Sequence, residues 1–202
     1  ALTSGRFIVD DLTLSHDDNY IYFKANMEHP GLYEVYRADL TDNTIDTMTD
    51  LNGMTDYSLS PDGKNLLLSH SKVNKPQELY IKPANETSAA KQITQSTSAD
   101  FNALPWAVPN IVAIESSHTE APIYARVYLP ENYDKSAPNK AVVFNHGAGY
   151  LQNAHMGWSG YFREYMFHSM LVQQGYVVLD MDYRASAGYG RDWRTAIYRQ
   201  MG

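Results

Sequence analysis

The sequence predicts a mixed fold: a repetitive all-β segment followed by the opening of an α/β sheet. Three observations carry this reading. Short β-like runs recur 45 positions further along the chain, the pattern changes near residues 100–110, and beyond that point apolar runs alternate with a helical stripe. Of the 202 residues, 44% are hydrophobic and 12% aromatic, which supplies a real core and disfavours global disorder.

The repeat comes first in the chain. Leu14-Ser15-His16-Asp17-Asp18-Asn19-Tyr20-Ile21-Tyr22-Phe23 lies over Leu59-Ser60-Pro61-Asp62-Gly63-Lys64-Asn65-Leu66-Leu67-Leu68, and Met48-Thr49 lies over Ile93-Thr94. A period of about 40–50 residues, each unit holding four short strands, is the signature of a β-propeller blade. In the second copy Pro61 presets φ and Gly63 accepts a positive φ, so Ser60-Pro61-Asp62-Gly63 is a tight turn. The first copy makes the same turn with His16-Asp17-Asp18-Asn19 and relies on the tolerance of Asp and Asn for the left-handed region. Two repeats cannot close a propeller of about 4–8 blades, so they read as part of a longer one.

The α/β segment follows. Residues 111–116 and 123–129 predict two strands joined by the polar loop Ser117-His118-Thr119-Glu120. Ala141-Val142-Val143-Phe144 predicts a strand buried on both faces. Residues 161–174 predict a helix, with Phe162, Met166 and Met170 at i, i+4, i+8 beside Tyr165, Ser169 and Val172 on one stripe, and Gly175 stands where that helix should end. Residues 176–181 predict a second buried strand. A turn over 183–190 then leads to a helix carrying Trp193, Ile197 and Met201 on one side. The break between the halves falls where Pro105 and Pro109 flank Trp106.

Composition removes several function classes. The excess of 23 acidic over 16 basic side chains, a formal net charge of −7, lacks the basic stripe of a nucleic-acid binder. With no cysteine there is no disulfide, thiolate metal site or cysteine nucleophile, and the seven histidines show no metal-ligand spacing. No metal or cofactor is expected. No apolar run reaches the length of a membrane span, and the first residues carry no signal-peptide pattern, which leaves a bacterial cytoplasm and periplasm equally open.

Two motifs invite a catalytic reading. Gly157-Trp158-Ser159-Gly160-Tyr161 fails as a nucleophile elbow, because Gly-x-Ser-x-Gly needs glycine where Tyr161 stands and a buried strand where polar residues precede. Ser159 is expected to cap or precede the following helix. His146-Gly147-Ala148-Gly149 is neither a dinucleotide fingerprint nor a phosphate loop, but after a buried strand it can turn sharply and present backbone N–H groups. Asp180, Asp182 and Arg184 alternate on one strand face, where an ion pair is the plain expectation.

Taken in order, Leu59-Ser60-Pro61-Asp62-Gly63-Lys64, Val127-Tyr128-Leu129-Pro130, His146-Gly147-Ala148-Gly149 and Asp182-Tyr183-Arg184-Ala185-Ser186-Ala187-Gly188-Tyr189-Gly190 resemble the prolyl oligopeptidase family of serine peptidases. The acylaminoacyl-peptidase and dipeptidyl-peptidase branch is the most similar. Ala185 stands where that family usually has glycine, and Ala148-Gly149 where it has Gly-Pro.

The resemblance implies C-terminal propeller blades over residues 1–105 and the N-terminal part of an α/β-hydrolase (peptidase) domain over 106–202. It implies hydrolysis of short peptides by a Ser-Asp-His triad expected beyond Gly202, so that no catalytic residue lies in this chain and the 202-residue piece alone is inactive. It offers Gly147 and Ala148 as oxyanion-hole backbone donors, with His146 and Gly149 beside them in the cleft. The substrate is a short peptide, and the full-length protein is free to form a homo-oligomer. The alternatives are a non-enzymatic propeller-type binding module and an esterase of the same fold.

Overall fold

The computed structural model of the chain describes residues 1–147 and 151–200. It divides into two compact units, Ala1–Ser98 with Met156–Trp158, and Ala99–His155 with Ser159–Gly202.

The first unit holds two four-stranded antiparallel sheets with strands in sequential order. One runs β1 (Val9–Leu14), β2 (Tyr20–Ala25), β3 (Glu34–Asp39) and β4 (Ile45–Thr47); the other runs β5 (Met54–Leu59), β6 (Asn65–Lys72), β7 (Lys75–Pro83) and β8 (Lys91–Gln92). These are propeller blades, and their repetition extends to single hydrogen bonds. In the β1–β2 turn the Ser15 hydroxyl donates to Asp17 (2.6 Å) and accepts from the Tyr20 N–H (2.9 Å); in the β5–β6 turn Ser60 does the same with Asp62 (2.6 Å) and Asn65 (3.0 Å). The left-handed residue is Asp18 (φ 56°) in one and Gly63 (φ 70°) in the other, as the two turn sequences predict.

Side chains alternate between sheet faces, and this alternation stacks the blades. Tyr22, Val35 and Met48 of the first sheet share a core with Leu66, Leu68 and Ala84 of the second. The Tyr22 hydroxyl donates to the Ala84 carbonyl at 2.8 Å. The other face of the first sheet buries Phe23, Ala25, Tyr36 and Ala38 beneath Leu2, Val9 and Met27. Each fully buried leucine in such a core contributes about 1.5–3 kcal/mol.

The second unit carries a sheet of order β11-β12-β10-β9. The hairpin β9 (Asn110–Ile114) and β10 (Ile123–Tyr128) is antiparallel; β12 (Val177–Asp182) pairs antiparallel with β10 and parallel with β11 (Ala141–Asn145). Parallel neighbours need a crossover, which α2 (Phe162–Gln173) provides. Its end is a Schellman motif: Gly175 adopts φ 84°, its N–H reaches the Val172 carbonyl, and the Tyr176 N–H reaches that of Leu171, each at 3.0 Å. A short helix, α1 (Ala99–Ala103), precedes the sheet, and Trp106 packs on Phe101 and Tyr165.

Three expectations need correction. Of the predicted α2 stripe, Tyr165 and Ser169 pack inward together with His168 and Leu171, while Phe162, Met166 and Met170 face outward. The reason is hydrogen bonding: the Tyr165 hydroxyl donates to the Ala107 carbonyl (3.0 Å) and the Ser169 hydroxyl accepts from the Ala107 N–H (3.2 Å), so polar side chains satisfy buried backbone. β11 is an edge strand, leaving Val143 56% exposed instead of buried on both faces. The last predicted helix is one turn, α3 (Arg191–Arg194), followed by a 3-10 turn at Thr195–Ile197, and Met201 lies outside the described residues.

Candidate functional site

Open α/β sheets place ligands beyond the carboxyl ends of their parallel strands. Here those ends are Asn145 of β11 and Asp182 of β12. His146, 4% exposed, follows the first, and the fully buried Asp182 and Ser186 stand at and just after the second. The His146 Nε2 lies 3.0 Å from the Ser186 hydroxyl and 3.3 Å from Asp182 Oδ1; its Nδ1 lies 2.8 Å from the Gly147 carbonyl oxygen. Asp182 also accepts from the N–H groups of Asn153 (2.6 Å) and Ala154 (3.0 Å) and from the Tyr189 hydroxyl (2.5 Å).

Burial pulls the His146 imidazole toward neutrality, but Asp182 and the Gly147 carbonyl outweigh it, so its pKa stands above the ordinary 6.5. In the protonated ring both nitrogens donate, one to Gly147 and the other to Asp182. Serine and carboxylate meet the same nitrogen here. A catalytic relay needs them on opposite nitrogens, so Ser186, His146 and Asp182 form a structural network and not a nucleophile with its base.

A second charged set lies alongside. Arg126, 1% exposed, faces Asp180 across the β10–β12 register, and its Nε donates to the His155 carbonyl at 2.8 Å. Burial raises the Asp180 carboxyl pKa, opposed by Arg126 and by the Asn153 amide, which donates at 3.0 Å. Burial, assisted by Arg126, holds His155 well below its ordinary range, so it is neutral. Arg126 and His146, the imidazole shifted toward its charged form, thus share one buried cluster with Asp180 and Asp182.

The loop after β12 is shaped by backbone that glycine favours. Gly188 (φ 99°) and Gly190 (φ 85°) adopt positive φ, and so does the buried Ala185 (φ 91°). A Cβ on Gly188 would meet the movable end of the Gln152 side chain at 2.3 Å, so it is the positive φ that favours glycine there. The Ser186 N–H bonds the Tyr183 carbonyl and the Ala187 N–H that of Leu151, each at 3.0 Å. The Tyr183 ring stacks on His146 with centroids 4.7 Å apart, and its hydroxyl donates to the Gly147 carbonyl at 2.6 Å.

Of the residues singled out by sequence, His146 and Gly147 come together at this strand end, while Ala148 and Gly149 lie outside the described residues. Among the described residues, a Cβ on Gly147 would meet the Tyr161 hydroxyl at an ordinary 3.9 Å and nothing nearer. Ser159 is buried, and its hydroxyl accepts from the Tyr161 N–H at 2.9 Å; it precedes α2, whose N-cap is Tyr161. The expected aspartate–Arg184 ion pair is not formed: Arg184 is exposed and both aspartates are held by other groups. Asn153, Ala154, Tyr183, Ser186 and Tyr189 were missed as members of the network. The available signal was two aspartates inside an otherwise apolar strand, which demand buried partners.

Known proteins match the chain in both parts. The Dipeptidyl peptidase IV (DPP IV) N-terminal region matches residues 1–77, and the Prolyl oligopeptidase family matches residues 162–202. A probable dipeptidyl-aminopeptidase B of Talaromyces marneffei is 24% identical over 206 residues, covering 100% of this chain and 22% of the relative. An uncharacterized peptidase, YuxL, of Bacillus subtilis is 25% identical over 143 residues, covering 70% of the chain and 20% of the relative. The crystal structure of Porphyromonas gingivalis dipeptidyl peptidase 4 matches in fold, with a TM-score of 0.81 at 18% identity over 98% of this chain and 27% of that one. The chain therefore spans about a fifth of the length of the curated relatives it matches. With blades in the first unit, an α/β sheet in the second, and matches running in the same order along the sequence, both parts of this chain are similar to the prolyl oligopeptidase family of serine peptidases.

Proposed function

We propose that the full-length protein hydrolyses short peptides by acyl transfer, and that this chain supplies part of the oxyanion hole and not the nucleophile. In this reading residues 1–105 are propeller blades and 106–202 begin the hydrolase domain. The backbone N–H groups of Gly147 and Ala148 receive the negative charge that develops on the scissile carbonyl oxygen, with His146 and Gly149 beside them. The observation that carries it is the place of Gly147 at the carboxyl end of β11, exposed and beside the densely bonded His146. Relatives named as dipeptidyl peptidases make release of N-terminal dipeptides the first activity to assay.

The test is hydrolysis of chromogenic dipeptide substrates and fluorophosphonate labelling of the full-length protein. Gly147→Ala keeps a permitted φ and, among the described residues, meets no atom nearer than the Tyr161 hydroxyl at 3.9 Å, yet it adds a methyl beside the proposed donors. It is expected to fold as wild type and to lose at least about tenfold in kcat/KM. Full activity in that variant, or a wild type that neither cleaves nor labels, would overturn the assignment.

A further inference from the structure

In the first blade, residues 49–53 form a strap over the buried Glu34: the Thr49 hydroxyl and the N–H groups of Leu51 and Asn52 bond its carboxylate. The strap ends in Asn52-Gly53, and the fold dictates both residues. A Cβ on the buried Gly53 would run into the Ser71 carbonyl oxygen and come within 2.6 Å of the His70 ring. Asn52 stands at φ 58°, in the left-handed region that asparagine tolerates better than most side chains. The dipeptide is anchored at both ends, by the Asn52 N–H on Glu34 and by the Gly53 carbonyl, which accepts from the Tyr33 N–H, each at 2.9 Å. Between these anchors the Gly53 N–H has no hydrogen-bond acceptor among the described residues. The Asn52 carboxamide beside it is exposed, held only by an Nδ2 bond to Asp50 at 3.2 Å, and glycine has no side chain to obstruct the approach of its nitrogen.

Asp62-Gly63 places the same atoms in the β5–β6 turn and ties them down. There the glycine N–H donates to the Ser60 carbonyl at 2.8 Å, and the Asp62 carboxylate accepts from the Ser60 hydroxyl (2.6 Å) and the Lys64 N–H (3.1 Å). In the strap of the second blade, 45 positions on, Thr97-Ser98 stands in place of Asn52-Gly53 and carries no carboxamide.

We propose that Asn52-Gly53 is a site of spontaneous deamidation that releases the strap of the first blade. The Gly53 nitrogen attacks Asn52 Cγ, a C–N bond forms, and Nδ2 leaves as ammonia with the proton of the Gly53 N–H; the product is a cyclic imide. Water then opens the ring, its hydroxyl going to the carbonyl carbon and its proton to the nitrogen. Cleavage at Cγ leaves aspartate; cleavage at the main-chain carbonyl carbon leaves isoaspartate, whose backbone runs through the former side chain. Isoaspartate lengthens the main chain between the Glu34 and Tyr33 anchors, so one of the two bonds is lost and a backbone group goes unpaired. Aspartate sets a new carboxylate beside Asp50, on the strap that covers Glu34.

The experiment incubates the full-length protein in mildly alkaline buffer, folded and in urea, and follows each dipeptide by peptide mapping with enzymatic methylation of isoaspartate. Each site's folded rate is divided by its own rate in urea. Asn52 should react within about threefold of its unfolded rate, and Asp62 at least about tenfold below its own, because a hydrogen bond must break there before attack. The aged wild type should lose several degrees of thermal midpoint. Asn52→Gly keeps the left-handed turn without the carboxamide and should age without that loss. An Asn52 as strongly protected as Asp62 overturns the proposal. So does modification at Asn52 with an unchanged midpoint, or an equal loss of midpoint on ageing in Asn52→Gly.

Discussion

The two blades carry the same hydrogen bonds around the same glutamate, yet the two glutamates titrate in opposite directions. Glu34 accepts from the Thr49 hydroxyl and from the N–H groups of Leu51 and Asn52, each N–H at 2.9 Å. Glu78 accepts from the Thr94 hydroxyl (2.5 Å) and from the N–H and hydroxyl of Ser96 (2.6 and 2.8 Å). Their exposures are equally low, 7% and 6%. Glu34 has the second sheet beyond its strap, with Thr55 and His70 in reach, and burial raises its pKa above 4.5 despite its donors. At Glu78 the hydrogen bonds from Thr94 and Ser96 outweigh burial and lower its pKa. What the charge experiences is depth of low-dielectric protein, and a single covering layer removes contact with water without removing its field.

Removing each carboxylate should break the symmetry most. Glu34→Ala leaves two N–H groups and a hydroxyl unpaired beneath a second sheet, and about 2–4 kcal/mol of stability is expected to go in urea denaturation. Glu78→Ala should lose less than half as much, since water can reach the same donors. Equal losses would mean that depth plays no part.

A smaller effect is expected at the two left-handed turn positions. Gly63→Ala must carry a Cβ at φ 70° and 3.2 Å from the His16 ring, a cost of about 1 kcal/mol or slightly more. Asp18→Gly at the matching position relieves that backbone but frees the unfolded chain, and should fall within about 0.5 kcal/mol of wild type.

The smallest and most diagnostic contrast is in pH. With its pKa raised in the folded state, Glu34 contributes stability below pH 4.5 that is lost as pH rises through the folded value. Glu78, with its pKa lowered, contributes above pH 4.5 and loses that contribution as pH falls through its folded value. Stability curves of Glu34→Gln and Glu78→Gln, each subtracted from wild type, should therefore slope in opposite senses.

The blade half was legible in the sequence because its information is local. Ser60, Pro61, Asp62 and Gly63 make their turn within a few residues, and the same spacing returns at Ser15, Asp17 and Asp18. In the hydrolase half the helix limits were legible from Gly175 and from the helical period. The period put Tyr165 and Ser169 on the predicted stripe but could not say that they pack while Phe162, Met166 and Met170 do not, because that depended on Ala107 needing partners from Tyr165 and Ser169. Nor could the order of strands be read, since β12 inserts between β10 and β11 only through tertiary pairing. The site network is the extreme case: Gly147, Asn153, Asp182, Ser186 and Tyr189 come from three separate segments, and no spacing rule links them.

Ala185 gives the loop beside that network an unusual thermodynamic character. A left-handed alanine lies about 1–2 kcal/mol above its right-handed alternative, so the free loop would adopt this shape in roughly one chain in ten or fewer. Its shape is therefore held on loan from its neighbours: the Leu151 carbonyl, the His146 ring and the strand that ends at Asp182. A change that weakens any of these would not shift the loop by degrees. It would drain the population of molecules in which the loop is assembled against His146, leaving the remainder unchanged.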